Sequence, residues 1–160
     1  MQQLMTLINH ILEKLLMLMM FFIIATVTWQ VFSRFILQSP SSYTEELARY
    51  LLIWIGILGA AYAYRTKAHL GLDIVVQKLQ PAKQKLARII VECMVIIFAV
   101  CILIYGGLNL VSITLELKQT SAALGLQMGY VYTVIPISGC LICLFSFSNI
   151  INLVNHQGAK

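Results

Sequence analysis

Two long stretches without a charged residue decide what this chain can fold into. Nineteen uncharged residues lie between Lys14 and Arg34, and 23 lie between Glu92 and Glu116. A bilayer core about 30 Å thick is spanned by roughly 20 apolar residues in a helix. Each stretch is therefore predicted to be a transmembrane helix.

The rest of the chain repeats this pattern. Of its 160 residues, 60% are hydrophobic and only 11% are charged, a composition that excludes an ordinary water-soluble domain. The first apolar run is interpreted as a retained helix, because no convincing small-x-small cleavage site follows it. We predict an all-α integral membrane protein that forms a single transmembrane domain over 1–160. Its four transmembrane helices are expected at about 13–34, 46–65, 89–111 and 128–154.

A shorter, amphipathic helix is predicted at about 71–80, between the second and third spans. Leu72, Val75, Val76 and Leu79 recur there at helical spacing among polar residues, which is typical of a helix that lies in the membrane interface. Basic residues in and after this segment are expected to contact the phospholipid headgroups rather than nucleic acid. They are Lys78, Lys83, Lys85 and Arg88.

The distribution of lysine and arginine predicts the orientation. The connection between the second and third spans and its flanks carry six of the eleven basic residues, whereas the third connection contains Lys118 alone. Basic loops stay in the cytoplasm. With four spans, both termini are then cytoplasmic, and in a bacterium the protein lies in the inner membrane, with the first and third connections in the periplasm.

Ionisable residues deep within a span usually mark an ion pathway. Here Glu13, Arg34, Arg65 and Glu92 all lie near predicted helix ends, and Glu92 stands four residues after Arg88, which predicts an ion pair. The sequence therefore predicts no catalytic, cofactor or metal site, and no enzyme. An autonomous small transporter with Glu13 as its coupling carboxylate remains an alternative.

A membrane redox protein is the other alternative. A four-helix haem protein requires histidines within its spans that face the bundle interior. His10, His69 and His156 lie at or beyond the predicted ends. The four cysteines fall within spans, where cysteine behaves as a small apolar residue.

Two adjacent carboxylates open the second span. Ser42 and Glu45 have the spacing of a capping box, and Glu45 and Arg49 can pair four residues apart. Helix capping needs only one carboxylate. Glu46, about 100° further round the helix, is therefore expected to face either Arg34 or a basic group of another subunit.

The same span carries small residues at matching offsets, Gly56 with Ala60 and Gly59 with Ala63. This spacing permits close approach of another transmembrane helix, so a packing face is predicted here. Trp54 lies too deep for the interfacial aromatic belt and is expected to pack against protein.

The stretch SRFILQSPSSYTEELARYLLIWIGILGAAYAYRTKAHLGLD, residues 33–73, resembles the signature region of the small membrane subunit of tripartite ATP-independent periplasmic (TRAP) transporters. Length, span number and inferred orientation extend the resemblance to the whole chain. Tyr43 stands where that family commonly has tryptophan. The residues that carry the resemblance are Arg34, Tyr43, Glu45, Glu46, Arg49, Trp54, Gly59, Ala60, Arg65 and His69.

This resemblance implies a secondary transporter in which a periplasmic substrate-binding protein captures an organic acid and a large membrane subunit imports it with sodium. The small subunit is then a scaffold without a cofactor, and the substrate and sodium sites belong to the large subunit. Similarity of the YTEELA and GILGAAYAYR segments favours a sugar acid, with sialic acid as the best candidate.

Overall fold

The computed structural model describes residues 2–39, 41–66 and 81–155. The predicted interfacial helix at 71–80, with His69 and Lys78, lies outside the described residues, as does the side chain of Lys83. The helices are α1 (Gln2–Phe35), α2 (Ser42–Arg65), α3 (Pro81–Phe98), a π-helical segment (Ala99–Gly106), α4 (Gly107–Glu116), α5 (Met128–Tyr132) and α6 (Val134–Asn155).

Four helical stretches are long and apolar enough to cross a membrane, which confirms the predicted fold class. They are Met5–Phe35, Ser42–Arg65, Gln84–Glu116 and Met128–Val154. Within the described residues, β-bridging is confined to one isolated pair, Thr120 and Gln127. We refer to Pro81–Glu116, which comprises α3, the π-helical segment and α4, as the third helix.

The fourth membrane stretch is interrupted rather than continuous. Thr133 separates α5 from α6, and Pro136 follows in the first turn of α6. Proline has no backbone N–H to donate and is tolerated only in the first turn of a helix. Pro136 therefore has no N–H for the carbonyl of Tyr132, four residues before it, and the helical hydrogen-bond ladder is weakened at the end of α5.

Helices α2 and α6 form the centre of the bundle. α2 packs against α1 and α6, and α6 packs in turn against the third helix. The buried core includes Leu58 of α2 with Val134 and Phe145 of α6. Most side chains of α1 and the third helix remain exposed, as expected where lipid or another subunit covers a helix.

Glycines of α4 and α6 lie where the third helix and α6 approach each other closely. A Cβ atom on Gly139 would lie 2.8 Å from Leu103 Cβ and 3.2 Å from the backbone nitrogen of Ile104, both in the π-helical segment. One on Gly107 would lie 2.9 Å from Ile135 Cγ2. Only glycine allows the third helix and α6 to pack at this separation.

Gly139→Ala should therefore destabilise the isolated chain by about 1–3 kcal/mol, because the added methyl group overpacks the contact with the π-helical segment. Gly59→Ala is the matched control, since a Cβ there meets nothing within 4 Å. It should leave the stability unchanged or raise it by up to about 1 kcal/mol through helix propensity. Denaturation in detergent measures both, and equal stabilities would contradict the close contact.

Candidate functional site

The connection between the third helix and α5 is a compact hairpin, which we call the hairpin loop (117–127). Ser121 N–H donates to the Leu126 carbonyl over 2.8 Å, and Met128 N–H donates to Gln119 over 2.8 Å. Gly125, with φ +66°, supplies the left-handed turn at the tip. These backbone bonds do not use the N–H groups of Ala123 and Leu124, although the Leu124 N–H lies 3.2 Å from the Ser121 hydroxyl oxygen, which also accepts it.

Glu46 binds this tip. Its Oε1 accepts the N–H of Ala123 over 3.1 Å, and its Oε2 accepts the N–H of Leu124 over 3.0 Å together with the hydroxyl of Ser121. Hydrogen bonds from backbone N–H groups to a carboxylate are among the stronger ones in proteins. Within the described part of the chain Glu46 makes no ion pair, so of the two partners predicted for it, Arg34 is wrong, and a basic group of another subunit stays a prediction. The first turn of α2 is instead fastened to the hairpin loop.

The neighbouring carboxylate has a different role. Glu45 pairs with Arg49 over 3.3 Å, as its spacing predicted. The predicted capping box is wrong, because Ser41, not Ser42, occupies the N-cap position and makes no capping bond with its side chain. Both members of the ion pair are exposed, so it contributes about 1 kcal/mol or less.

Below Glu46, one face of α2 continues the attachment; we call it the seam (Glu46, Tyr50, Trp54, Ile57, Ala61 and Tyr64). The Trp54 indole N–H donates to the Val131 carbonyl over 3.0 Å, at the end of α5. The Ser138 hydroxyl donates to the Ile57 carbonyl over 3.0 Å. The expectation that Trp54 packs against protein is thus confirmed.

At the far end of the seam, Tyr64 meets another carboxylate that is held by hydrogen bonds, that of Glu92. Glu92 of α3 accepts hydrogen bonds from the hydroxyls of Tyr64 and Ser146 and, over 3.0 Å, from the Asn149 amide. The predicted ion pair with Arg88 is wrong, and the buried Nε of Arg88 has no hydrogen-bond partner. The carboxylate faces α2 and α6 instead, and so ties three helices together. Beside it, the Arg65 guanidinium lies 5.7 Å from the centre of the Phe145 ring.

The outward face of α2 is different. Leu52, Gly56 and Ala60 form an exposed row that ends at the Glu45–Arg49 pair, and we call this row the bare stripe. A Cβ atom added at Gly56 would meet nothing within 4 Å. The small-residue face predicted on α2 is therefore not used for packing among the described residues.

Other predicted positions are less engaged. Arg34 and Tyr43 are exposed, and Gly59 and Ala63 are half-buried beside the bare stripe. Lys85 and Arg88 are half-buried at the start of the third helix. Sequence reasoning missed the partners of both carboxylates: Ser121, Ala123, Leu124, Tyr64, Ser146 and Asn149. The signal that could have revealed them is the helical spacing of polar and aromatic residues along the seam.

Comparison of the sequence with known proteins assigns the chain to a family. Residues 23–156 match the family model described as tripartite ATP-independent periplasmic transporters, DctQ component. The chain belongs to this family. It is a small permease subunit of a secondary transporter, and therefore a transport component rather than an enzyme.

Individual relatives agree with the family assignment. A putative TRAP transporter small permease protein of Haemophilus influenzae is 30% identical, with 91% of each chain covered. The sialic acid TRAP transporter small permease protein SiaQ of Vibrio cholerae is 27% identical over 92% of this chain and 83% of its own. The isethionate TRAP transporter permease protein DctMQ of Oleidesulfovibrio alaskensis is 31% identical over 73% of this chain, but only 18% of its own length is covered. Such long relatives agree with a small subunit that works with a large permease subunit.

The hairpin loop supplies the test of Glu46. Glu46→Ala should loosen the loop, because two backbone N–H groups and the buried Ser121 lose their acceptor. Glu45→Ala, which removes only the exposed ion pair, is the matched control. A cysteine introduced at exposed Ala122 in each background should react faster with a maleimide in the Glu46 variant alone.

Thermal denaturation of the same two variants in detergent should give the same ranking, with Glu46→Ala the less stable. Equal labelling rates and equal stabilities would show that Glu46 does not hold the loop. A larger effect from Glu45→Ala would instead support helix capping.

Proposed function

We propose that this subunit is the scaffold for the large transport subunit of a sodium-coupled TRAP transporter in the bacterial inner membrane. The observation that carries the proposal is the contrast between the two long faces of α2. Along the seam, the polar side chains bond to other parts of this chain, whereas Gly56 and Ala60 of the bare stripe are exposed, and a Cβ atom at Gly56 would meet nothing within 4 Å among the described residues. Small residues permit the close approach of another helix, and in lipid such contacts support helix association.

The state of the carboxylates supports a scaffold rather than an ion pathway. Glu46 and Glu92 each accept hydrogen bonds from neutral groups that belong to other segments of this chain. Both are thereby committed to structural bonds. Sodium coupling and the transport path are assigned to the large subunit.

The substrate of the complete transporter is proposed to be an organic acid that a periplasmic binding protein delivers, with sialic acid or a related sugar acid as the best candidate. The similarity to the V. cholerae sialic acid subunit supports this choice. The isethionate relative shows that the family serves other acids as well. Phospholipid headgroups are proposed to contact the basic residues Lys78, Lys83, Lys85 and Arg88.

Co-purification with the large subunit from detergent tests the scaffold proposal. Ala60→Leu should reduce recovery of the complex roughly tenfold, because overpacking at a close helix contact costs about 1–3 kcal/mol and 1.4 kcal/mol is a factor of ten. Ala25→Leu makes the same change at an exposed position of α1 and is the matched control. It should leave recovery unchanged.

Reconstitution gives the complementary result. The chain alone should take up no sialic acid or other organic acid under a sodium gradient, and uptake should require the large subunit. Robust uptake by the chain alone, or no association of the wild-type chains, would contradict the scaffold proposal. Equal recovery of the complex with Ala60→Leu and Ala25→Leu would contradict only the proposal that the bare stripe contacts the large subunit.

We also propose that both termini are cytoplasmic and that the hairpin loop is periplasmic, because the second connection carries most of the basic residues. In a variant without native cysteines, Ala122→Cys should react with a membrane-impermeant maleimide added to intact cells. Lys85→Cys should react only after the cells are permeabilised. The reverse pattern would invert the orientation.

A further inference from the structure

The third helix presents polar groups where lipid would be expected. Tyr105, Asn109, Ser112 and Glu116 are all exposed and recur at helical spacing on one face of this helix, and we call them the polar stripe. They lie away from the face on which Gly107 packs against Ile135 of α6. The Tyr105 side chain is 75% exposed.

The depth of these groups makes their exposure costly. Residue 104 is midway between Glu92 and Glu116, so Tyr105 lies close to the centre of this charge-free stretch. At about 1.5 Å per residue, Asn109 is about 7 Å from that centre, well inside a half-thickness of about 15 Å. In hydrocarbon an amide or hydroxyl without a hydrogen-bond partner is strongly unfavourable.

The chain itself supplies no partner for them among its described residues. Ser112 donates to the Asn109 carbonyl of its own helix over 2.9 Å, which satisfies this hydroxyl. The phenol of Tyr105 and the side-chain amide of Asn109 make no hydrogen bond there. An amide has two donor hydrogens and an acceptor oxygen, so it can bond to a neighbouring transmembrane helix in several ways.

The charge at the end of the polar stripe limits what that neighbour can be. Glu116 is exposed and has no ion pair in the described part of the chain. In a two-fold dimer of parallel copies, residues at the same depth face one another, so the two Glu116 carboxylates would repel. A different chain, with a basic or neutral group at this level, does not meet this obstacle.

We propose that the polar stripe is a second docking surface for the large transport subunit. It binds a transmembrane helix that presents hydrogen-bonding groups level with Tyr105 and Asn109 and a basic group near Glu116. The proposal rests on the proposed scaffold function and adds a contact separate from the bare stripe of α2. It also distinguishes this edge of the third helix from the apolar exposed surface of α1.

Asn109→Leu distinguishes a polar stripe that faces lipid from one that docks the large subunit, because the two cases predict different recoveries of the complex. If Asn109 faced lipid, leucine would leave the isolated chain and its complex equally stable or improve both. If it docks the large subunit, the isolated chain keeps its denaturation profile in detergent while recovery of the complex falls about threefold to tenfold. Asn109→Gln, which keeps the amide, should restore most of the recovery.

Photo-crosslinking identifies the partner. p-Benzoylphenylalanine in place of Tyr105 should form an adduct with the large subunit in membranes, more strongly than the same group in place of Phe21, an exposed residue of α1. An adduct of two copies of this chain, no protein adduct, or equal adducts at both positions would overturn the proposal. Co-purification of the wild-type chains is scored separately, so the docking surface can fail while the scaffold function stands.

Discussion

The bundle depends on the contact between α2 and α6. Lipid is as apolar as the helices, so the hydrophobic effect does not drive transmembrane helices together, and association relies on close packing and hydrogen bonds. The seam supplies hydrogen bonds at successive levels: Glu46 at the hairpin loop, Trp54 at the break after α5, the Ile57 carbonyl at Ser138 of α6, and Tyr64 at Glu92. Phe145 and Leu58 fill the space between these levels. α1 and the third helix are then placed by their packing on these two helices.

The two carboxylates illustrate how a membrane protein can keep charge without an ion pathway. Each is held by several neutral donors, and in each case the donors come from segments distant in sequence. An ion pair would need two desolvated charges and good geometry to compensate for their removal from water. Hydroxyl, amide and backbone N–H donors require the desolvation of only one charge. The carboxylates thus fix helix positions, and the residues left free for another chain are those on the outward faces.

The sequence predicted the four membrane helices because the length of an apolar run and the positions of its charges determine locally whether a helix can span the bilayer. It also predicted the Glu45–Arg49 pair and the packing of Trp54 against protein. Its errors share one cause. The four-residue spacing of Arg88 and Glu92 permits a pair, but Tyr64, Ser146 and Asn149 compete for the same carboxylate from other helices. Glu46 likewise finds its partners more than 70 residues along the chain, where no spacing rule applies. The π-helical segment has no sequence signal of its own. It lies where the third helix makes a close contact with Gly139 of α6, which is distant in sequence.

Because the interior polar side chains are hydrogen-bonded within the bundle, the groups on its outward faces are the ones available to a partner. The side chains of Trp54, Ser138 and Glu92 already make hydrogen bonds within this chain. They could bind a partner only if the bundle opened. The bare stripe and the polar stripe can do so at no such cost. Where a small subunit and its large partner are joined in one polypeptide, the linker raises the effective concentration and a weak contact suffices. Where they are separate chains, the proposed docking on these two surfaces would have to supply the affinity itself. Within the described residues the Asn109 amide has no hydrogen-bond partner, so a docked helix that supplied one inside the bilayer would favour the complex over the free subunit.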